Sequence, residues 1–331
     1  MEKLTPGKLA GLKAVSDHRG VIAAAAMDQR GSLQKSLAKE RGSAADAHDL
    51  EEFKILVTSV LTKHATGILL DPEFGLPASK HRNGKGLFLA YEKTGYDATT
   101  PGRLPDLLDV WSVRRLKEAG ADCIKILLYY TPFEKSPVND LKQAWVERIG
   151  DECIAHDIPF FLELVGYDVS SGGDEKSLGY ALKKPEVVSG SMAEFGKARY
   201  NVDVLKVEVP IEMSFVEGTK AFKGEKAYTR AEALQHFRDA ATMTHKPFIY
   251  LSAGVSNPVF IETLELAVES GTTFNGVLCG RATWKDGIAI YAKQGAKAFE
   301  DWLNTTGVEN INNVNNALKN AHSWHEKVHA N

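Results

Sequence analysis

Eight short apolar runs recur along the chain, and amphipathic segments separate most of them. The runs are continuous rather than alternating, which is typical of strands that are covered on both faces. They span residues 20–29, 67–75, 87–93, 122–130, 159–168, 202–210, 247–255 and 275–282. Strands that alternate with helices favour a parallel sheet, and eight such units predict an α/β fold of the (β/α)8, or TIM barrel, type.

The segments between the runs carry apolar residues at helical spacing in six cases. These predicted helices span residues 49–65, 109–121, 140–157, 229–243, 258–271 and 289–307. Residues 76–86 are too few for a full helix, so we expect a single helical turn there, or else a wrongly assigned strand. Residues 1–18 and 308–331 are expected to form extra N- and C-terminal helices, and one barrel domain is expected to span 1–331.

The composition narrows the class of partner. The chain of 331 residues carries a net charge of −3, from 40 basic and 43 acidic residues, which gives no indication of nucleic acid or an anionic membrane. The three cysteines lack a CxxC spacing, which indicates reduced thiols in a cytoplasmic protein. We expect no secretory signal and no membrane span, since no apolar run approaches roughly 20 residues.

Polar side chains late in the runs are the candidates for chemistry, because functional groups of such barrels lie at the carboxyl ends of the strands. Each one taken alone is explained more simply as a solvated or salt-bridged strand end. The candidates are Asp28, Gln29, Asp71, Glu73, Glu92, Lys125, Glu163, Lys206, Glu208, Ser252 and Arg281.

Three of these charges lie inside apolar runs on three successive strands. Lys125, Glu163 and Lys206 have hydrophobic neighbours on both sides, in "CIKILL", "FLELV" and "VLKVEV". If each side chain points inward, two amines and a carboxylate face one another inside the barrel. A structural salt-bridge cluster is the alternative, although apolar residues often stabilise a core equally well.

Schiff-base chemistry would use all three groups. An amine attacks a carbonyl only when it is unprotonated, and burial or a second ammonium nearby lowers the pKa of a lysine. The carbinolamine must then lose water, which needs an acid/base group within hydrogen-bond reach. We predict Lys206 as nucleophile, Lys125 as its cationic neighbour and Glu163 as proton shuttle, although by spacing alone the two lysines could exchange roles.

The last two runs predict a phosphate site. The segments "SAG" and "GR" place Ser252, Gly254, Gly280 and Arg281 after strands seven and eight. Barrel enzymes often bind phosphate there, through backbone N–H groups and a cation. The segment "SAG" alone is equally typical of an ordinary turn, but "GR" one strand later favours phosphate.

Residues 325–329 read "HEKVH", which matches the HExxH pattern of zinc sites on helices. Two residues follow the motif in this sequence, so we expect no third ligand after it. The pattern has three specified positions and arises easily by chance. We therefore predict no metal site.

Long motifs over nearly the whole chain resemble those of one enzyme family, in the same order. They are "MDQRG", "LLDPEFGLP", "LAYEKTGYD", "LPDLLDVWS", "KILLYY", "IPFFLELVGYD", "VDVLKVEVP", "YLSAGVS" and "FNGVLCGRATW". On these motifs the chain is similar to the lactose-catabolic tagatose 1,6-bisphosphate aldolases, which are class I (Schiff-base) aldolases on a (β/α)8 barrel.

The resemblance implies a role for each candidate. The sixth-strand lysine, here Lys206, forms the Schiff base, and the fifth-strand glutamate, here Glu163, is the acid/base. The fourth-strand lysine, here Lys125, lies beside them, so the resemblance decides between the two lysines. Asp28 is the candidate for contact with the C4 hydroxyl of the substrate. The residues expected to bind substrate or phosphate are Gln29, Glu92, Ser252, Gly254, Gly280 and Arg281.

The implied reaction is reversible cleavage of D-tagatose 1,6-bisphosphate to dihydroxyacetone phosphate and D-glyceraldehyde 3-phosphate. The protonated imine is the electron sink for C3–C4 cleavage, so we expect no metal or other cofactor. Class I fructose-bisphosphate aldolases place a catalytic tyrosine at the C-terminus, but no tyrosine follows Tyr291 here. Barrel residues, above all Glu163, must then move the protons. The family commonly forms dimers or larger assemblies, and we expect a homo-oligomer.

Two alternatives remain open. A Schiff-base aldolase for another ketose phosphate, such as fructose 1,6-bisphosphate or a sulfonated sugar phosphate, would share the fold and the lysine. A barrel that binds sugar phosphate as a sensor would not need an activated amine, so the intact set of Lys125, Glu163 and Lys206 argues against it. Glu208 shares the strand face of Lys206, and the sequence assigns it no role.

Overall fold

A computed structural model describes residues 2–93, 102–169 and 174–330 of the chain. Within it, eight parallel strands close on one another to form a barrel. Numbered in chain order after a short strand β1 (Glu2–Leu4), they are β2 (Ile22–Met27), β3 (Gly67–Leu70), β4 (Gly86–Ala90), β5 (Cys123–Tyr129), β6 (Phe160–Val165), β7 (Val204–Val207), β8 (Phe248–Leu251) and β9 (Gly276–Cys279). Each predicted apolar run overlaps one barrel strand, and only β4 begins before its run, by one residue, so the predicted (β/α)8 barrel is confirmed.

Helices connect the strands and extend the chain at both ends. They are α1 (Pro6–Ala14), α2 (Gly31–Arg41), α3 (Ala47–Leu61), α4 (Leu76–Ser79), α5 (Val113–Glu118), α6 (Ser136–Ala155), α7 (Leu178–Phe195), α8 (Arg230–Thr242), α9 (Asn257–Glu269), α10 (Arg281–Trp284), α11 (Ile288–Trp302) and α12 (Val308–Ala317). Each segment predicted to be helical overlaps a helix, although several helices begin one to four residues earlier than predicted, and the short connection after β3 forms the single turn of α4.

Two long helices, α2 and α7, were not among the predicted ones, and neither was the single turn of α10. The side chains that α2 buries are Leu33 and Leu37, which make an apolar stripe too narrow to stand out in the sequence. Helix α7 carries Pro185 in its interior, where proline ordinarily kinks or ends a helix. Packing against the barrel therefore decides these two helices more than local preference does.

The barrel interior is built from alternate positions of each strand. The apolar interior residues are Ile22, Ala24, Ala26, Leu69, Phe88, Ala90, Cys123, Phe161, Val204, Ile249 and Leu278. The same alternation, followed toward the carboxyl ends of the strands, reaches Asp28, Glu92, Lys125, Glu163 and Lys206. An apolar layer therefore fills the lower barrel, and charged side chains form the layer above it.

The chain termini close the lower end of the barrel. Leu4, Leu12, Val15, Trp324 and Val328 join the apolar cluster of the interior. The backbone N–H of Trp324 donates to the carbonyl of Gly20, just before β2, at 3.0 Å. The two termini were predicted to be helical, but each also ends in a strand, and β1 pairs in parallel with β10 (Val328–Ala330).

The "HEKVH" segment does not form the helix that the zinc pattern requires. Residues Trp324–Glu326 form a short 3-10 turn, and Val328–Ala330 belong to β10. The backbone pairing with β1 imposes an extended conformation on the end of the motif. In the described part of the chain, no group of three or more His, Cys, Asp or Glu side chains is arranged to hold a metal ion.

Cys123, Cys153 and Cys279 are buried and form no disulfide with one another. Burial raises the pKa of each thiol, that of Cys279 to about 12, which disfavours the reactive thiolate. Among the residues described here, no helix is long and apolar enough to cross a membrane.

Trp324→Ala should lower the free energy of unfolding by about 3–5 kcal/mol, because the change removes a buried large aromatic side chain from the base of the barrel. Urea unfolding followed by far-UV circular dichroism measures this. The control is Met243→Ala at a position 41% exposed, expected to cost less than about 0.5 kcal/mol. A cost for Trp324→Ala as small as that of the control would contradict the role of the termini in closing the barrel.

Candidate active site

A cavity of about 510 Å³ opens at the carboxyl ends of the barrel strands. Its lining includes Asp28, Gln29, Glu92, Glu163, Lys206, Glu208, Ser252, Gly254, Gly280 and Arg281. Lys125 is fully buried and contacts carboxylates of this lining. Every residue predicted for the site therefore lies in the wall of this cavity or directly behind it.

Lys125 is enclosed by carboxylates. Its Nζ lies 2.8 Å from Asp28 Oδ2, 2.6 Å from Glu92 Oε1 and 2.9 Å from Glu163 Oε2. Lys125 donates hydrogen bonds to Asp28 and Glu92 and forms an ion pair with Glu163, so three carboxylates compensate its charge. With Lys206 these residues form what we call the lysine–carboxylate cluster: Asp28, Glu92, Lys125, Glu163 and Lys206.

Glu163 joins the two lysines. Its Oε2 lies 2.9 Å from Lys125 Nζ and its Oε1 lies 2.8 Å from Lys206 Nζ, so it forms an ion pair with each lysine. Glu163 stands directly opposite Lys206 in the ladder between β6 and β7, which explains the short contact. Among the described residues, Glu163 is the one ion-pair partner of Lys206, whose side chain borders the cavity.

The electrostatics of the cluster distinguish the two lysines. Burial lowers the pKa of Lys125, but the charges of Asp28, Glu163 and Glu92 outweigh burial and raise that pKa well above its usual value. Lys125 therefore remains an ammonium surrounded by carboxylates, which is not a nucleophile. The sequence led us to expect Lys125 as the cationic neighbour of Lys206, and in the structure this cation also pairs with Asp28 and Glu92.

The three carboxylates of the cluster titrate differently. Burial raises the pKa of Asp28 and of Glu163, but the Lys125 and Lys206 ammonium groups outweigh it and hold both values below the usual range. For Glu92 burial prevails over Lys125 and raises the pKa. The cluster thus combines two firmly ionised carboxylates with one, Glu92, that takes up a proton more readily.

Glu208 lines the same cavity but belongs to a different set of contacts. The Gly166 N–H donates to its Oε2 at 2.7 Å, and Lys184 Nζ on α7 lies 3.5 Å from its Oε1. Lys184 lies at the same distance from Glu212. These contacts hold Glu208 between Gly166, just after β6, and Lys184 of α7.

The turn after β8 and the start of α10 form one corner of the cavity. Gly254 has a φ of +77°, and a Cβ there would lie 2.8 Å from Arg281 Cζ, so glycine is required for this close packing. Lys285 Nζ donates to the Gly254 carbonyl at 2.9 Å. Ser252 and Gly280 line the same cavity. A guanidinium beside close backbone is an arrangement suited to a phosphate.

Two of the candidates late in the runs lie behind the cavity wall. Asp71 is fully buried and pairs with Lys54 of α3 at 2.5 Å. Glu73 pairs with Arg30 at 2.5 Å, and Arg30 also donates to the Glu92 carbonyl at 2.8 Å. Neither cation was predicted, because the candidates were polar residues late in the apolar runs. Lys54 lies on a helix, and Arg30 follows the end of the first run.

Tyr129 of β5 also lines the cavity and was not predicted. Tyr129 lies four residues after Lys125 on β5, so both side chains point to the same face of the strand. This alternation could have identified Tyr129 as a residue of the cavity. Arg103 Cζ lies 5.1 Å from the centroid of the Tyr129 ring and 4.9 Å from that of Tyr167. Arg103 is itself paired with Glu175 at 2.7 Å, which anchors this side of the cavity.

Known proteins resemble the chain in sequence and in fold. Residues 22–286 match the family model described as DeoC/LacD family aldolase. Tagatose 1,6-diphosphate aldolase 2 of Enterococcus faecalis is 53% identical, over 100% of this chain and 99% of its own length. Tagatose 1,6-diphosphate aldolase of Staphylococcus haemolyticus is 51% identical, over 97% and 98%.

A solved structure of fructose-bisphosphate aldolase from Plasmodium falciparum has a TM-score of 0.68 with this chain. The alignment covers 100% of this chain and 98% of that one, at 14% sequence identity, so the likeness is one of fold. The barrel and the relatives together define an enzyme of the lyase class. The chain belongs to the DeoC/LacD family of aldolases, and the resemblance deduced from the motifs is confirmed.

Lys125→Met should destabilise the protein by about 3–5 kcal/mol near neutral pH, because it leaves buried carboxylates without their cation. Asp28 and Glu163 should then have folded-state pKa values above the unfolded ones, so the folded state binds more protons. Stability of the variant should therefore fall as pH rises from about 5 to about 8. In the unchanged protein the two lowered pKa values stabilise the fold throughout that range, and this contribution is lost only under acid conditions.

The measurement is urea unfolding at several pH values. Ile126→Ala is the matched control, since Ile126 is a fully buried neighbour on the opposite strand face and carries no charge. It should cost about 2–5 kcal/mol with no added dependence on pH. Parallel pH profiles for the two variants would contradict the assigned electrostatics.

Proposed function

We propose that the chain is a class I aldolase that reversibly cleaves D-tagatose 1,6-bisphosphate to dihydroxyacetone phosphate and D-glyceraldehyde 3-phosphate through a lysine Schiff base. The observation that carries the proposal is the Glu163 carboxylate, which bridges Lys125 and the cavity-facing Lys206. The names of the full-length relatives support the choice of substrate. By the same resemblance the reaction belongs to lactose breakdown by the tagatose 6-phosphate route, in the cytoplasm.

In this proposal Lys206 is the nucleophile. Glu163 Oε1, 2.8 Å from Lys206 Nζ, accepts the proton that the ammonium must lose before the amine attacks C2 of the ketose. The carbinolamine loses its hydroxyl as water when Glu163 gives that proton back. Lys125 stays protonated beside the other carboxylate oxygen of Glu163, Oε2, and holds that side chain in position.

Cleavage of the C3–C4 bond follows from the imine. The protonated imine takes up the electron pair of that bond, so this route requires no metal ion. Asp28 accepts a hydrogen bond from the C4 hydroxyl, and Glu163 takes the hydroxyl proton as C4 becomes the aldehyde carbon. The enamine is then protonated at C3, and water releases dihydroxyacetone phosphate from Lys206.

The remaining residues hold the ends of the substrate. Ser252, Gly254, Gly280 and Arg281 form the corner to which we assign one phosphate, because a guanidinium presents a fork of donors to its oxygens. Gln29 and Glu92 are assigned to substrate contacts and are part of the cavity lining.

Treatment with dihydroxyacetone phosphate and borohydride should attach the triose to Lys206, because reduction converts the imine to a stable amine. Peptide mass mapping would locate the label, and Lys206→Met should abolish it. The control variant is Lys184→Met, a buried lysine of α7 outside the cluster, which should still be labelled at Lys206. Labelling at Lys125 in the unchanged protein would contradict the assignment.

Cleavage rates identify the substrate. We expect D-tagatose 1,6-bisphosphate to be cleaved, and its C4 epimer fructose 1,6-bisphosphate to be accepted as well, since the contacts deduced for C4 are few. Steady-state assays should compare kcat/KM for both epimers and for a sulfonated ketose phosphate. Turnover of the sulfonated compound alone would assign the site to a different aldolase reaction.

Glu163→Gln should lower kcat by about 10²- to 10⁴-fold, the usual contribution of a positioned acid/base group. The amide keeps the size of the side chain, so KM should change by less than about threefold. Glu208→Gln is the control, as a second glutamate of the cavity with partners on the α7 side. A loss confined to KM in Glu163→Gln would remove Glu163 from the proton-transfer role.

A further inference from the structure

Lys54 of α3 is a buried lysine that the proposed mechanism leaves without a function. Its side chain is fully buried. Its Nζ donates to the Met27 carbonyl at 2.9 Å, to the Gln29 carbonyl at 2.7 Å and to Asp71 Oδ1 at 2.5 Å. All three N–H donors of the ammonium are therefore engaged, and each acceptor lies on a different residue.

The two carbonyls stand on either side of Asp28. Met27 is the last residue of β2, so the backbone at residues 27–29 is the point where the strand ends and the loop to α2 begins. Lys54 holds this backbone from the side of α3, while the Asp28 carboxylate accepts from Lys125 in the cavity. The backbone of Asp28 and its side chain are thus held from opposite directions.

Asp71 extends the same set of contacts to the next strand. Its Oδ2 accepts the backbone N–H of Phe74 at 2.7 Å, in the turn between β3 and α4. The Lys54 ammonium therefore connects a helix, the end of β2 and the end of β3, and its bonds to Met27 and Asp71 are buried. Such a connection resists sliding of the loop at residues 27–29, since a shift would break these two buried hydrogen bonds, which water cannot replace.

We infer that Lys54 is a positioning residue, which acts with Asp71 to hold Asp28 in register for the cleavage step without touching the substrate. The inference rests on the proposed function, in which Asp28 orients the C4 hydroxyl. A small displacement of an orienting group is sufficient to lose much of the rate of a reaction. Lys206 and Glu163 lie on β7 and β6, and their ion pairs, to each other and to Lys125 of β5, do not include Lys54, so we expect Schiff-base formation not to depend on Lys54.

The test is Lys54→Met, which keeps the aliphatic stem and removes the three donors. We expect kcat for ketose bisphosphate cleavage to fall about 10- to 100-fold. Borohydride trapping of dihydroxyacetone phosphate on Lys206 should stay within about threefold, because the two events use different groups. A variant that cleaves at the unchanged rate while it is folded and traps the triose would overturn the inference.

Lys8→Met is the matched control for a merely structural role. Lys8 is also a buried lysine, and its Nζ donates to both carboxylate oxygens of Asp203, at 2.9 and 2.8 Å, near the lower end of the barrel. Both variants should lose stability in urea, but kcat of Lys8→Met should stay within about twofold. Equal losses of kcat in the two variants would mean that Lys54 contributes stability alone, and would overturn the inference.

A double-mutant cycle shows whether Lys54 acts through Asp28. Asp28→Asn should lower kcat by itself, and adding Lys54→Met should lower it by less than about threefold more. Fully additive losses would overturn the inference. An unchanged kcat in Asp28→Asn would overturn both this inference and the role of Asp28 in the proposed function. If kcat falls in Asp28→Asn but is unchanged in Lys54→Met, this inference alone is overturned.

Asp71→Asn provides a second variant that does not require removal of the buried ammonium. It keeps the volume of the side chain and leaves the two carbonyl hydrogen bonds of Lys54 available. We expect kcat to fall about 3- to 10-fold, with the same lack of additivity toward Asp28→Asn. A folded Asp71→Asn variant with unchanged kcat would overturn the inference even if Lys54→Met does not fold.

Discussion

The buried Lys125 ammonium, paired with three carboxylates, is the interaction on which the upper half of the barrel depends. A charge that is fully removed from water is tolerated only where it is paired and hydrogen-bonded. Its partners follow β2 and β4 or belong to β6, so strands from different parts of the barrel must deliver side chains to one point. That requirement ties the register of the strands to the chemistry, because a slip by one residue would turn each carboxylate to the other face.

The two ends of the barrel differ in composition and in role. Below the cluster, apolar side chains and the paired chain termini make a dry core that supplies stability. Above it, charged groups surround the cavity in which we propose that Lys206, Glu163 and the Arg281 corner act together. In barrels generally, residues at the upper end serve function and those at the lower end serve stability, and this aldolase family member follows that division.

Three further cations hold the cavity wall in place, and one of them, Arg30, itself lines the cavity. Lys54 secures the backbone around Asp28, Arg30 bonds the Glu92 carbonyl, and Lys184 faces Glu208. None of the three needs to reach a substrate to matter, since each restrains a group that lines the cavity. Two contacts therefore position each carboxylate in the cavity. One is the strand that carries or precedes the residue, and the other is a cation packed against the carboxylate.

Strand periodicity is a local property, so the sequence alone determined the eight apolar runs and the single turn after β3. For the same reason it determined that Lys125, Glu163 and Lys206 lie on inward strand faces. The resemblance of the motifs likewise identified the family. Tertiary structure decided the remaining features. These are the unpredicted helices α2 and α7, the pairing of β1 with β10, the carboxylates around Lys125 and the contacts of Lys54. Each depends on groups far apart in the chain that meet only when the barrel closes, and whether a buried charge is compensated is a property of that meeting rather than of any segment.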